Sequence, residues 1–165
     1  CYLFPLVYMF GNSIVQSQLP IISYNYGIGH HERIRKTLRL SLVLTTLSGL
    51  FISIMGIVAC RPIISWFLDE GTRAFELATT GFPYFSISFV FFSLNVVIIG
   101  FYQSIERAGE AIFLMLLRGC ILVIPIFILL PHLIGDKGLW LAVPVAEALT
   151  FGVIGIWALF RKRNC

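Results

Sequence analysis

Long charge-free runs alternate with short clusters of charge and glycine along this chain. Residues 2–26 carry no charge, 40–60 lie uncharged between Arg39 and Arg61, and 77–105 lie uncharged between Glu76 and Glu106. Residues 111–131 contain only Arg118, and 138–160 only Glu147. Each run supplies the roughly 20 residues that a helix needs to cross about 30 Å of hydrocarbon. Lipid offers no partner to backbone groups, so each run must satisfy them within its own helix. The pattern predicts an all-α integral membrane protein with five transmembrane helices. The third run is longer than one span requires. The stretch before it, "WFLDEGTRAFELA", offers Asp69 and Thr72 as helix caps. It either lies along the interface until Pro83 turns the chain into the bilayer, or extends the third helix outward.

Composition removes the soluble alternative. The 165 residues are 58% hydrophobic and 12% charged, with a mean hydropathy of +0.92, and a small soluble domain cannot hide that much apolar surface. The net charge of +4 comes from bases placed between spans, which orient helices in a bilayer; no nucleic-acid partner is implied. Arg33, Arg35, Lys36, Arg39, Arg107 and the tail Arg161–Arg163 fall on one side, and Arg118 is expected to snorkel toward it. That side is the cytoplasmic one by the positive-inside rule, which puts the C-terminus inside. Cys1, Cys60, Cys120 and Cys165 have neither disulfide-framework nor metal spacing. The chain opens on Cys1 without a signal-peptide n-region, as expected of a piece of a longer polypeptide.

Polar residues inside the runs are the candidate functional groups. Asn12, Gln16, Pro20 and Ser23 share an arc of roughly 80° on one helix. Such a stripe faces either a watery cavity or another helix, to which it acts as glue. Pro20 also releases the carbonyl of Gln16 from the helical ladder. Glu147 stands about 13 Å into its span at 1.5 Å per residue. It is read as an unpaired carboxylate that carries a proton or cation, or as a structural Glu bonded to Thr150 or to an amide. Asn95 and Gln103, with Ser104, are interhelical ties or ligands. Phe82, Phe85, Phe89, Phe91 and Phe92 line a cavity for aromatic cations or pack the core. Pro83, Pro125 and Pro144 are candidate hinges, Pro144 standing one turn before Glu147. Arg118 reads as an interface anchor. No HExxH, GxSxG or GxxxxGK[ST] pattern occurs, so neither enzymatic chemistry nor a metal site is expected.

Several motifs occur in a recognisable order. "QLPIISYNYGIGHHERIRKTLR" resembles the end of the eighth helix of multidrug and toxic compound extrusion (MATE) transporters, through Gln18, Pro20, Ile21, Ile22, Ser23, Tyr24, Asn25, Tyr26, Gly27 and Gly29. Leu19 separates the glutamine from the proline, and Ile28 replaces an alanine. Phe101–Ser104 is similar to the family's F-Q-S element, with Tyr102 inserted. Leu117, Arg118, Ile124, Pro125, Leu129, Leu130 and Pro131 resemble its L-R-Q…I-P…L-P pattern, with Gly119 replacing the glutamine. "GDKGLWLAVPVAEALTF" is similar to the start of its twelfth helix.

The resemblance implies part of the six-helix C-terminal lobe of a twelve-helix antiporter, with residues 1–165 supplying its eighth to twelfth helices. It implies efflux of cationic or aromatic compounds from the cell through the inner membrane, coupled to H+ or Na+ and needing no other cofactor. The expected partners are those small molecules, the lipid bilayer and an N-terminal lobe. The pathway candidates are Asn12, Gln16, Gln18, Asn25, Asn95, Gln103 and Glu147, and Gly27 and Gly29 turn the chain at the cytoplasmic exit. The third run lacks the acid of sodium-coupled members. A lipid-linked polysaccharide flippase of the same superfamily and a non-transporting membrane scaffold are the competing functions.

Overall fold

A computed structural model describes residues 3–163, and among them only helices form. The helices are α1 (Leu3–Gly27), α2 (His31–Val58), α3 (Cys60–Ser65), α4 (Arg73–Ser86), α5 (Ser88–Ser104), α6 (Ala108–Leu116), α7 (Val123–Ile134) and α8 (Asp136–Arg163). A π turn, Leu117–Ile121, joins α6 to α7.

The fold is built around α5, which packs against α1, α2 and α8. Its residues from Phe92 to Val97 are all buried. Helix α1 turns one stripe to it: Val7, Gly11, Val15, Gln18, Ile22 and Asn25, recurring every three or four residues, are buried. Helix α2 presents a stripe of small residues, Ser41, Thr45, Gly49, Ser53 and Gly56, of which Gly49 meets α5 and Ser53 and Gly56 meet the end of α4. In lipid, helices gain little from hiding apolar surface, so close backbone approach drives their association. At Gly49 a Cβ would lie 3.0 Å from the Val90 Cα, and Ser53 Oγ donates to the Ser86 carbonyl at 2.8 Å. Phe89 and Phe92 are buried in this core, with Phe82 and Phe85 packed beside them. These phenylalanines pack the bundle, and Phe82 and Phe89 also border a small apolar pocket of about 190 Å³ with Val7, Ile52 and Gly56.

The five expected spans are only partly recovered. Among the described residues, three helical segments are long and apolar enough to cross a membrane: His31–Val58, Ala108–Ile134 and Lys137–Trp157. A fourth arises if α4 and α5, bent by 44°, count as one. Helix α1 has 25 residues but falls outside that set, because its amides and hydroxyls dilute its apolar character. The uncharged run over 77–105 is not one straight helix. Helix α4 begins earlier, at Arg73, where Thr72 Oγ1 accepts from the Phe75 N–H at 3.3 Å. Helix α5 then starts afresh at Ser88. Pro83 cannot donate to the Thr79 carbonyl, which instead accepts from Cys60 Sγ at 3.5 Å. The chain from 61 to 72 is the short helix α3 and a turn; it does not extend a span.

The other expected hinges differ among themselves. Pro20 and Pro144 lie inside unbroken helices. Pro125 sits just past the π turn, in which the Leu122 N–H reaches the Leu117 carbonyl at 2.9 Å. A proline at 125 leaves the Ile121 carbonyl without its usual donor, which favours irregular backbone just before it. The α1–α2 turn is a Schellman cap: Gly29 has φ +73, and the His30 N–H reaches the Asn25 carbonyl at 2.9 Å. Gly27 keeps negative φ within the helix end, so only Gly29 makes the turn. The α5–α6 turn repeats this cap with Glu106 (φ 59) in the glycine position, and the Arg107 N–H bonds the Tyr102 carbonyl at 3.0 Å.

Two substitutions probe this backbone. Gly138 rests against the Leu130 carbonyl, so Gly138→Ala is expected to destabilise the full-length protein by about 1–3 kcal/mol. Glu106→Gly relieves a left-handed residue and is expected to stabilise by about 1 kcal/mol. Thermal unfolding in detergent reads both, as midpoints moving in opposite directions.

Candidate functional site

The most polar point inside the bundle joins the π turn, α5 and α8. Arg118 Nε lies 2.8 Å from Glu147 Oε1. Asn95 Nδ2 donates to Glu147 Oε2 at 2.7 Å and to the Glu147 carbonyl at 3.0 Å. The Arg118 guanidinium also lies over the Phe92 ring, 4.1 Å from its centroid. Glu147 is 4% exposed and Asn95 fully buried. Both carboxylate oxygens are therefore engaged, and the cation rests on an aromatic face, as a charge pair in a poorly hydrated site requires.

Local sequence explains this convergence. Phe92 and Asn95 are three residues apart and share a face of α5. On α8, the almost fully buried Ala142 and Ala146 pack on Ile126 of α7, and Glu147, the next residue round the helix, reaches Asn95 of α5. The π turn, wider than an α turn, carries Arg118; such turns are frequent where a side chain must be re-aimed.

Two expectations are corrected here. Glu147 is not unpaired, and Thr150 is not its partner, because Thr150 Oγ1 donates to the Ala146 carbonyl at 2.8 Å. Arg118 does not snorkel to the interface: its side chain is 17% exposed and turned to Glu147. A signal was present, since consecutive spans each held one charge of opposite sign. Arg118 stands about 15 Å from the start of α6 and Glu147 about 13 Å from Gly138, so both reach mid-membrane.

The remaining candidates separate into ties and free groups. Gln18 is on the buried stripe of α1, and its Nε2 donates to the Val97 carbonyl at 2.9 Å. Asn25 Nδ2 donates to the Ile21 carbonyl of its own helix at 2.7 Å. Ser23 Oγ donates to the Ser104 carbonyl at 3.1 Å, so this member of the stripe is a tie. Asn12 is half-buried, while Gln16 and Pro20 are exposed. They lie on the side of α1 away from the buried stripe. Gln103 is exposed near the end of α5. Among the described residues, no group of three His, Cys, Asp or Glu side chains is placed to hold a metal.

The MatE family model matches residues 2–133, most of the chain. The chain belongs to the MATE family. No curated protein and no solved structure gives a match. As a MATE protein it is a multi-pass membrane transporter of a non-enzymatic family. The match includes the Pro20–Gly29 motif, Asn95 and Arg118 but stops short of Glu147. The third member of the MATE chain's charged cluster is thus tied to the matched part by geometry.

The pair sets an asymmetric expectation for mutants. Arg118→Ala, leaving a buried carboxylate, is expected to cost about 3–5 kcal/mol, whereas Arg118→Met combined with Glu147→Leu is expected to be near neutral. Thermal unfolding of the single and double variants of the full-length protein measures the difference. Single variants as stable as the parent would contradict a buried pair.

Proposed function

We propose that this chain forms part of the C-terminal lobe of a secondary active exporter. It would expel cationic and aromatic compounds across the inner membrane in exchange for H+ or Na+, its C-terminus cytoplasmic. The observation that carries this reading is the uncovered polar side of α1, where Gln16 and Pro20 are exposed and Asn12 half-buried. Amides facing hydrocarbon are left without partners, so that side borders water and a second lobe. The Gln16 side chain and its own carbonyl, released by Pro20, offer acceptors that suit a cation shedding its hydration. Gln103, exposed near the end of α5, is a further candidate in this reading. In this reading Gln18, Asn25, Asn95 and Glu147 keep the lobe rigid and do not touch the cargo.

The engagement of Glu147 by Arg118 and Asn95 supports a coupling carboxylate elsewhere in the full-length protein. It also weighs against the flippase reading. A lipid-linked pyrophosphate calls for unneutralised bases in the cavity, and Arg118 already faces a carboxylate.

Full-length protein in lipid vesicles, loaded with ethidium and given a proton or a sodium gradient separately, tests the proposal. Gradient-driven ethidium movement is expected under one of them. Gln16→Ala is expected to slow it roughly tenfold, the loss of one hydrogen bond to a charged group. Movement under neither gradient would contradict export. An unchanged rate in Gln16→Ala would remove α1 from the path and favour a scaffold role for this lobe.

A further inference from the structure

One flank of α2 is left largely open by the bundle, only its inner edge at Leu42 packing on the core, and has no part in the export path. Arg35, Leu38, Arg39, Leu42, Val43 and Leu47 recur there every three or four residues and line a shallow groove of about 440 Å³. Its two ends differ in chemistry. Toward the α1–α2 turn stand two exposed guanidiniums one helical turn apart, and neither makes an ion pair among the described residues. The acid of the first turn, Glu32, is held by Lys36 at 3.1 Å, so it does not neutralise them. Beyond Arg39 the walls are aliphatic. Thr46, which also lines the groove, donates its hydroxyl to the Leu42 carbonyl at 2.8 Å and asks for no other acceptor.

The change from basic to aliphatic falls where α2 enters its apolar part, which is the level of lipid headgroups on whichever side of the membrane this end lies. From Arg35 to Leu47 the groove runs about 18 Å at 1.5 Å per residue, close to one leaflet of a core about 30 Å thick. Two unpaired cations at the headgroup and an aliphatic channel below them match an amphiphile that is anionic at one end.

We propose that this groove binds an anionic phospholipid, its phosphate between Arg35 and Arg39 and one acyl chain along Leu38, Leu42, Val43 and Leu47. The proposal rests on membrane immersion, which family membership gives. It holds whatever the transporter carries.

Native mass spectrometry of the full-length protein in detergent, offered equal amounts of palmitoyl-oleoyl phosphatidylglycerol and phosphatidylcholine, tests it. Phosphatidylglycerol is expected to be retained preferentially. Arg35→Gln or Arg39→Gln is expected to weaken it about fivefold each, and the pair about thirtyfold. Val43→Trp is expected to reduce retention by filling the groove, whereas Arg33→Gln, outside it, leaves the preference intact. Because these arginines are exposed, thermal midpoints are expected to match the parent's, which separates lost binding from lost folding. Equal retention of the two lipids, or unchanged retention in the double variant, would overturn the site. Displacement by glycerol phosphate alone would reduce it to a simple anion contact and overturn the acyl groove. A photoactivatable phosphatidylglycerol that fails to label residues 38–47, with crosslinks to another segment of the protein there instead, would show the face covered by protein.

Discussion

A polar group in hydrocarbon has no solvent partner, and the packing of these helices answers much of that constraint, although among the described residues Gln18 Oε1, Asn25 Oδ1, Thr45 Oγ1 and Asn95 Oδ1 are buried without a hydrogen bond. Arg118, Glu147 and Asn95 form the clearest case. One carboxylate accepts from a guanidinium at 2.8 Å and an amide at 2.7 Å, and three parts of the chain are held in one geometry as a result. Gln18 on the Val97 carbonyl ties α1 to the central α5 in the same way, and Ser53 on the Ser86 carbonyl ties α2 to the end of α4. The small residues of α2 let the backbones come near enough for such bonds to close. Stability here comes from close approach and answered polar groups, since lipid is as apolar as leucine.

The same constraint separates structure from function within one helix. On α1, Gln18 and Asn25 face inward and are bonded, while Gln16 and Pro20 face outward. A bundle that bonds the N–H groups of its inward amides and exposes the amide of Gln16 has a face that suits something besides lipid. The watery cleft proposed above for this MATE transporter would meet that need. The outward face of α2 has a different character, basic at one end and aliphatic along the rest, and lipid itself suits it.

Much of this was legible in the sequence, for physical reasons. Charge and glycine delimit helices in a membrane, so the ends near Gly27, Val58 and Ser104 and the α8 start at Asp136 fall within a few residues of the runs. Thr72 showed its capping role through residue type and position. The break at Ile87 was not visible, because a charge-free run does not record where the backbone bends. Pro83 pointed to the region but not to the residue. The Arg118–Glu147 pair was missed because each residue was weighed against its own helix, and a partner 29 residues away exists only once the helices pack. The division of the α1 amides was likewise hidden, since Gln16 and Gln18 are alike in type and differ only in the side they face.

The central claim is that the buried amides, whose N–H groups bond within the bundle, are structural and that the exposed ones mark the wet path. Thiol accessibility in the full-length transporter in membranes, with its native cysteines replaced, tests this most directly. Single cysteines at Asn12 and Gln16 are expected to react with a membrane-impermeant methanethiosulfonate from one side, while one at Ser93, buried in α5, stays unreactive. Unreactive thiols at both α1 positions from either side would mean a dry or lipid-facing surface, and the account would be contradicted.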